Sequence, residues 1–132
     1  MKIKFVGLPV ADQDQALAFY TEVVGLTKAA DIDMGPMRFL TLAGEDGVEG
    51  GQIILEAIDF PPKAAYQRAM YEAGAPVLAL NTADIRADVR RLSDKGVVFR
   101  GEPQDLGPIL SVVFEDTCGN LIHLVQAKGM PA

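Results

Sequence analysis

The chain has 132 residues, of which 49% are hydrophobic and 23% charged, ordinary values for a folded domain. A chain of this size buries roughly two-thirds of its unfolded surface, enough for a core without metal or disulfide staples. Cys118 is the sole cysteine and His123 the sole histidine. These single copies exclude an intrachain disulfide, a cysteine-rich zinc site and any single-chain metal centre needing two imidazoles. The formal net charge of −6 repels phosphate backbones, so nucleic acid is not an expected partner. Arg86, Arg90 and Arg91 share one predicted helix and read as a solvated face. No stretch approaches the roughly 18 apolar residues of a membrane span, so no membrane partner is expected. The opening residues lack a signal-peptide pattern, and with a free thiol this points to the cytoplasm.

In chain order, Lys2–Val10 alternates as a strand, with Pro9 where the ladder is ending. Asp12 is a good N-cap, and Gln15 three residues on completes a capping-box pattern. Ala16, Phe19, Tyr20, Val23 and Val24 recur at helical spacing until Gly25 supplies the stop. Strands follow at Leu26–Asp31, Met37–Ala43 and Gln52–Ile58, with the acidic loop GEDGVEGG before the last. Met34 and Met37 flank Gly35-Pro36 in a predicted mobile turn. Asp59–Gly74 reads as a linker: Pro61 and Pro62 start a helix, Ala64–Ala73 carries it and Gly74 ends it. The opening order then returns, with a strand at Val77–Asn81 and a helix at Ile85–Lys95 stopped by Gly96. Strands at Val97–Glu102, Ile109–Glu115 and Leu121–Gln126 complete it, an Asp-Thr-Cys-Gly-Asn turn preceding the last.

The chain is therefore a strand-helix-strand-strand-strand unit written twice. Val10-Ala11-Asp12 overlays Thr82-Ala83-Asp84, and Gly51-Gln52-Ile53-Ile54-Leu55 overlays Gly119-Asn120-Leu121-Ile122-His123. One unit is too small to bury both faces of its sheet, so the halves are expected to pair into one domain over residues 1–132. Module one covers 1–58, the linker helix 59–75 and module two 76–128.

Three stretches carry a resemblance to a known family. They are the opening strand running into Val10-Ala11-Asp12, the helix end Phe19-Tyr20-Thr21-Glu22-Val23-Val24-Gly25-Leu26, and the hairpin Glu115-Asp116-Thr117-Cys118-Gly119-Asn120-Leu121-Ile122-His123-Leu124. With the repeat, the sequence resembles the vicinal oxygen chelate superfamily of glyoxalases, extradiol dioxygenases and bleomycin resistance proteins. The resemblance implies an α+β fold: two paired βαβββ modules forming a cup-shaped mixed sheet, with helices on the outer face. It also implies a homodimer. Metal enzymes of this family place one ligand near the start of each module and one on each module's last strand. Carried onto this chain, those positions are Phe5, Leu55, Val77 (Pro76 if the register slips) and His123. His123 alone is a plausible ligand, so no metal cofactor is expected. Glu56, beside Leu55, would join His123 as a metal ligand only through a β-bulge. Iron chemistry on two histidines and a carboxylate is not expected from a chain with one imidazole.

The same alternation lines the cup with Phe5, Gly7, Leu55, Val77 and Ala79 around His123. An apolar cup with one imidazole suits a hydrophobic or aromatic molecule. His123 reads either as the polar contact or general base of that cup, or as a strand histidine bonded to a neighbour. It is the one catalytic candidate, and whether the protein is an enzyme stays open. Arg38 and Phe39 lie on the third strand without a secure phase, so either one faces the ligand. Cys118 reads as a structural turn thiol. The expected function is binding of a small apolar or aromatic molecule without a metal. The alternatives are a metal-dependent glyoxalase-type lyase or isomerase using Glu56 and His123, and an interaction module whose cup is self-filled.

Overall fold

Asp12 and Asp84 each turn an extended chain into a helix. The Gln15 N–H donates to Asp12 Oδ1 at 2.8 Å and the Ala87 N–H to Asp84 Oδ1 at 3.1 Å. Each bond satisfies a donor that the first helical turn leaves without a partner. The computed structural model describes residues 1–128; the last four residues of the expected domain lie outside them. The first half holds β1 (Phe5–Val10), α1 (Gln13–Ala18), β2 (Thr27–Met34), β3 (Met37–Ala43) and β4 (Gln52–Ala57). After α2 (Pro61–Glu72) come β5 (Leu78–Asn81), α3 (Ile85–Asp94), β6 (Gln104–Asp105), β7 (Ile109–Glu115) and β8 (Leu121–Ala127). The α+β class and the doubled strand-helix-strand-strand-strand order are those expected. The strands form two mixed four-stranded sheets, ordered β1-β4-β3-β2 and β5-β8-β7-β6. Each sheet is open and uncurled, and neither makes a cup by itself.

The chain forms two compact units. The first is Met1–Arg68 with Thr117–Gly119, and the second is Ala69–Asp116 with the described residues from Asn120 to Lys128. In the first, parallel pairing of β1 with β4 sets Leu8 beside Leu55, and both are buried. Leu40 and Leu42 join them from β3, with Ala16, Phe19 and Tyr20 from the helical segment. Burying each such leucine contributes about 1.5–3 kcal/mol. The predicted helix does not stay α to its end: Phe19–Val24 is a π-helical turn, closed by Gly25 at φ 101°. The wider turn accommodates two successive buried rings, Phe19 and Tyr20, packed edge to face at 5.3 Å. The capping box is half made. Gln15 donates its side-chain amide to the Thr117 carbonyl at 2.9 Å.

In the second unit, Leu78 pairs with Ile122 and Ala79 with His123, while Val113 flanks His123 from β7. Val112, Phe114, Ile122 and Leu124 are buried with Ile85 and Leu92 of α3. The predicted strand Val97–Glu102 is corrected to a single bridge, Phe99 with Phe114. Gly101 takes φ 101° and Pro103 has no N–H to donate, so the ladder breaks there and only β6 resumes beside β7. In the turn before β8, the Asp116 carboxylate accepts from the Asn120 N–H and its side-chain amide, both at 2.9 Å. Cys118 is buried, as a structural turn thiol should be. Its carbonyl accepts from the Ala11 N–H at 3.1 Å and the Gln67 amide at 3.0 Å.

The unphased third strand is settled by register. Arg38 lies on the face of Leu40, where its guanidinium donates to Asp14 at 2.7 Å and to Asp31 at 2.9 Å. Phe39 takes the opposite face. The Arg38 hydrogen bonds hold the Asp31 carboxyl below the ordinary carboxylate range.

Two measurements check this packing. Leu55→Ala should lose about 2–5 kcal/mol in chemical denaturation, because the residue is core. Near-neutral stability in that variant would refute the β1–β4 register. Asp31 titrates lower folded than unfolded, so its pairing contributes fully above pH about 4 and is lost as pH falls through the lowered value. Wild type should therefore exceed Arg38→Met in stability near neutrality and converge on it in acid. Parallel pH curves would show that the pair adds nothing.

Candidate functional site

The face of the first sheet away from α1 is apolar and aromatic. Pairing of Phe5 with Gln52 and of Thr41 with Ile54 places Phe5, Gly7, Phe39, Thr41, Ile54 and Glu56 on this one side. The Phe5 and Phe39 rings meet edge to face at 5.6 Å, an arrangement set by the ring quadrupoles. Ile32 pairs with Phe39 and Met34 with Met37, which extends the face along the β2–β3 hairpin. These residues are open to solvent: Phe5 is 41% exposed, Ile32 51%, Met34 53% and Met37 52%. The hairpin tip turns at Gly35, whose N–H donates to Asp33 Oδ1 at 3.0 Å. Thr41 is buried and donates to Gln52 Oε1 at 2.7 Å.

Glu56 lies on this face with no β-bulge in β4, contrary to expectation, and Leu55 does not. The repeat shows why. Gly7 and Ala79 hold the same place before their capping aspartates, yet Gly7 pairs with Ile54 and Ala79 with His123. The β4 counterpart of His123 is thus Ile54, one residue before the Leu55 that the sequence overlay selects. A shift of one residue exchanges the two faces of a strand. Leu55 consequently belongs to the core, and its place in the ligand face is withdrawn.

On the second sheet, Ala79, Ser111, Val113 and Val125 share the side of His123. Ser111 Oγ and His123 Nε2 are hydrogen-bonded, so this histidine has the neighbouring polar partner that one sequence reading anticipated. Val77 immediately precedes β5, with its N–H donating to the Leu121 carbonyl at 3.0 Å. Phe5 and Gly7 are thus brought together in the first unit, and Val77, Ala79 and His123 fall within the second. Phe39, Ile32 and the two methionines were not singled out as site residues from the sequence. The signal was present as alternation through Phe39-Leu40-Thr41, but it lacked a neighbouring strand to give it a side.

The resemblance implies a metal site, and the side chains do not fit one. By register the four positions are Phe5, Ile54, Val77 and His123, which supply a single donor side chain. Among the described residues no three of His, Cys, Asp and Glu gather as a ligand set. Glu56 has the Lys63 ammonium at 4.0 Å, and His123 is engaged with Ser111.

Similarity to known proteins covers nearly the whole chain. The family model of the Glyoxalase/Bleomycin resistance protein/Dioxygenase superfamily matches residues 2–124. The uncharacterized protein YurT of Bacillus subtilis (strain 168) is 42% identical over 126 residues, 96% of this chain and 99% of that protein. The crystal structure of UcmS2 superposes with a TM-score of 0.82 at 31% identity, covering 95% of this chain and 97% of that one. TnmS3, an antibiotic binding protein from Streptomyces sp. CB03234, superposes with a TM-score of 0.78 at 30% identity, covering 97% of each chain. No helix among the described residues is long and apolar enough to cross a membrane. On the family match and the identity to YurT together, the chain belongs to the glyoxalase/bleomycin resistance protein/dioxygenase superfamily.

Proposed function

We propose that the Phe5–Phe39 face binds a small apolar or aromatic molecule without a metal, as a sequestering protein does. One observation carries this reading: an edge-to-face aromatic pair continued by exposed Ile32, Met34 and Met37 on the same side. Contiguous exposed apolar side chains mark binding surfaces more often than idle ones. Aromatic rings offer large contact area, and thioethers on a hairpin adapt to irregular ligand shapes. Family membership and the antibiotic-binding neighbour TnmS3 support a small organic ligand. The metal-free part rests on donor chemistry, since Phe5, Ile54 and Val77 offer no lone pair. A second reading, supported by family membership, is a metal-dependent lyase or isomerase. We propose also that the chain is a homodimer, which would cover the exposed apolar Val6 on the edge strand β1 and Ile3 just before it.

A thermal-shift panel of uncharged polycyclic aromatics should stabilise the wild-type protein. Phe39→Ala should weaken that binding about tenfold while remaining folded. Undiminished binding by Phe39→Ala would remove this face as the site. Metal analysis of protein purified without chelators separates the two readings. About one bound ion per chain, lost in His123→Ala, would replace the first with the second. Light scattering should give about twice the 14.1 kDa chain mass, and a monomer would refute the dimer.

A further inference from the structure

Resting on the reading just given, we propose that Gln52 sets the ligand class of the Phe5–Phe39 face. That class is a neutral aromatic molecule bearing a carbonyl, which accepts a hydrogen bond from the Gln52 side-chain amide. Gln52 stands on this face by register. It pairs with Phe5 across the β1–β4 ladder and with Ala43 across the β3–β4 ladder, and Ile54 and Glu56 follow on its side of β4. Charge does not distinguish a ligand here. Lys4 Nζ lies 5.5 Å from the Phe5 ring centroid, and Lys63 Nζ stands 4.0 Å from Glu56 and 3.1 Å from Asp59. Two ammonium groups thus balance two carboxylates. Selection falls to a directional hydrogen bond from an uncharged group.

Thr41 fixes which end of the amide a ligand meets. It is fully buried on the same face, and its hydroxyl donates to Gln52 Oε1 at 2.7 Å. A buried hydroxyl needs an acceptor for its proton, and Gln52 Oε1 is the acceptor that the described residues give it. Turning the amide over would set an NH2 group against the hydroxyl and leave the Thr41 proton without a partner. The carbonyl end of Gln52 is thus held by Thr41. Its NH2 end has no acceptor among the described residues and is not closed off from solvent, so both N–H groups are available to a ligand. A purely apolar molecule lying over Gln52 would strip water from these donors and return no partner. A ligand N–H would meet donor against donor. A carbonyl on an aromatic frame meets both demands, the frame against Phe5 and Phe39 and the oxygen accepting from Gln52.

The test uses three uncharged tricyclic probes of similar shape. Fluorenone accepts through its carbonyl, fluorene neither accepts nor donates, and carbazole donates through its ring N–H. Wild-type protein should bind fluorenone about threefold to tenfold more tightly than fluorene, the range for one neutral hydrogen bond, and give carbazole no advantage. Gln52→Leu should bring fluorenone down to the level of fluorene. Thr41→Val removes the hydroxyl that orients the amide and keeps the branched side chain. The amide is then free to turn, so the fluorenone preference should fall and carbazole binding should rise. Equal binding of fluorenone and fluorene to wild type, or a preference for carbazole, overturns the carbonyl assignment and leaves the aromatic face standing. A fluorenone preference that survives Gln52→Leu, as it would if Lys4 were the donor, overturns the role of Gln52. Unchanged preferences in Thr41→Val overturn the orienting role of Thr41. Binding of none of the probes to wild type overturns this assignment and the aromatic face together.

Discussion

The register between β1 and β4 is the constraint on which the rest of the first unit depends. A parallel strand has two faces, and one residue of slip exchanges them. With Leu8 set beside Leu55, the leucines of three strands close over Ala16, Phe19 and Tyr20. The same pairing leaves Phe5, Gly7, Phe39 and Glu56 together on the other side. Core and candidate site are thus two consequences of one alignment. A different register would bury the Glu56 carboxylate at the cost of an unpaired charge and expose Leu55.

The duplicated architecture repeats its frame more faithfully than its chemistry. Asp12 and Asp84 cap their helices through the same bond three residues on. Gly7 and Ala79 occupy matching places on the first strand of each sheet. Their partners differ, an isoleucine in one sheet and a histidine hydrogen-bonded to serine in the other. The glycine matters for what its neighbour can do, because the Glu56 carboxylate occupies the space that a side chain at Gly7 would fill. One sheet carries rings and a carboxylate, and the other an imidazole among small side chains.

The fold was largely readable from residue order. Caps, stops and alternation located all three α-helices and most strands, and the family motifs held their places at the helix end and the last hairpin. The failures have local causes. The strand expected at Val97–Glu102 ignored the left-handed Gly101 and the donor-less Pro103, which leave one bridge where a ladder was expected. The helix through Val24 is apolar on adjacent residues, and the π-helical turn resolves that crowding in a way no 3.6-residue period reveals. On the candidate face, Phe5 and Gly7 were singled out and Leu55 displaced Glu56 by one position, whereas Val77, Ala79 and His123 lie in the second unit.

What the sequence determined by itself is the inventory and the order: one histidine, one cysteine, an acidic balance and a strand-helix-strand-strand-strand unit written twice. Those counts and periodicities are properties of the chain and need no neighbour. What only the tertiary structure decided is phase. The turns before β4 and β8 differ, so the repeat aligned on its glycines misplaces one strand by a residue, and alternation alone cannot detect the error. Hydrogen bonding to β1 and β3 removes the ambiguity, because paired residues must share a side of the sheet. That pairing sent Leu55 and Arg38 to the helix side and brought Glu56 and Phe39 to the open one.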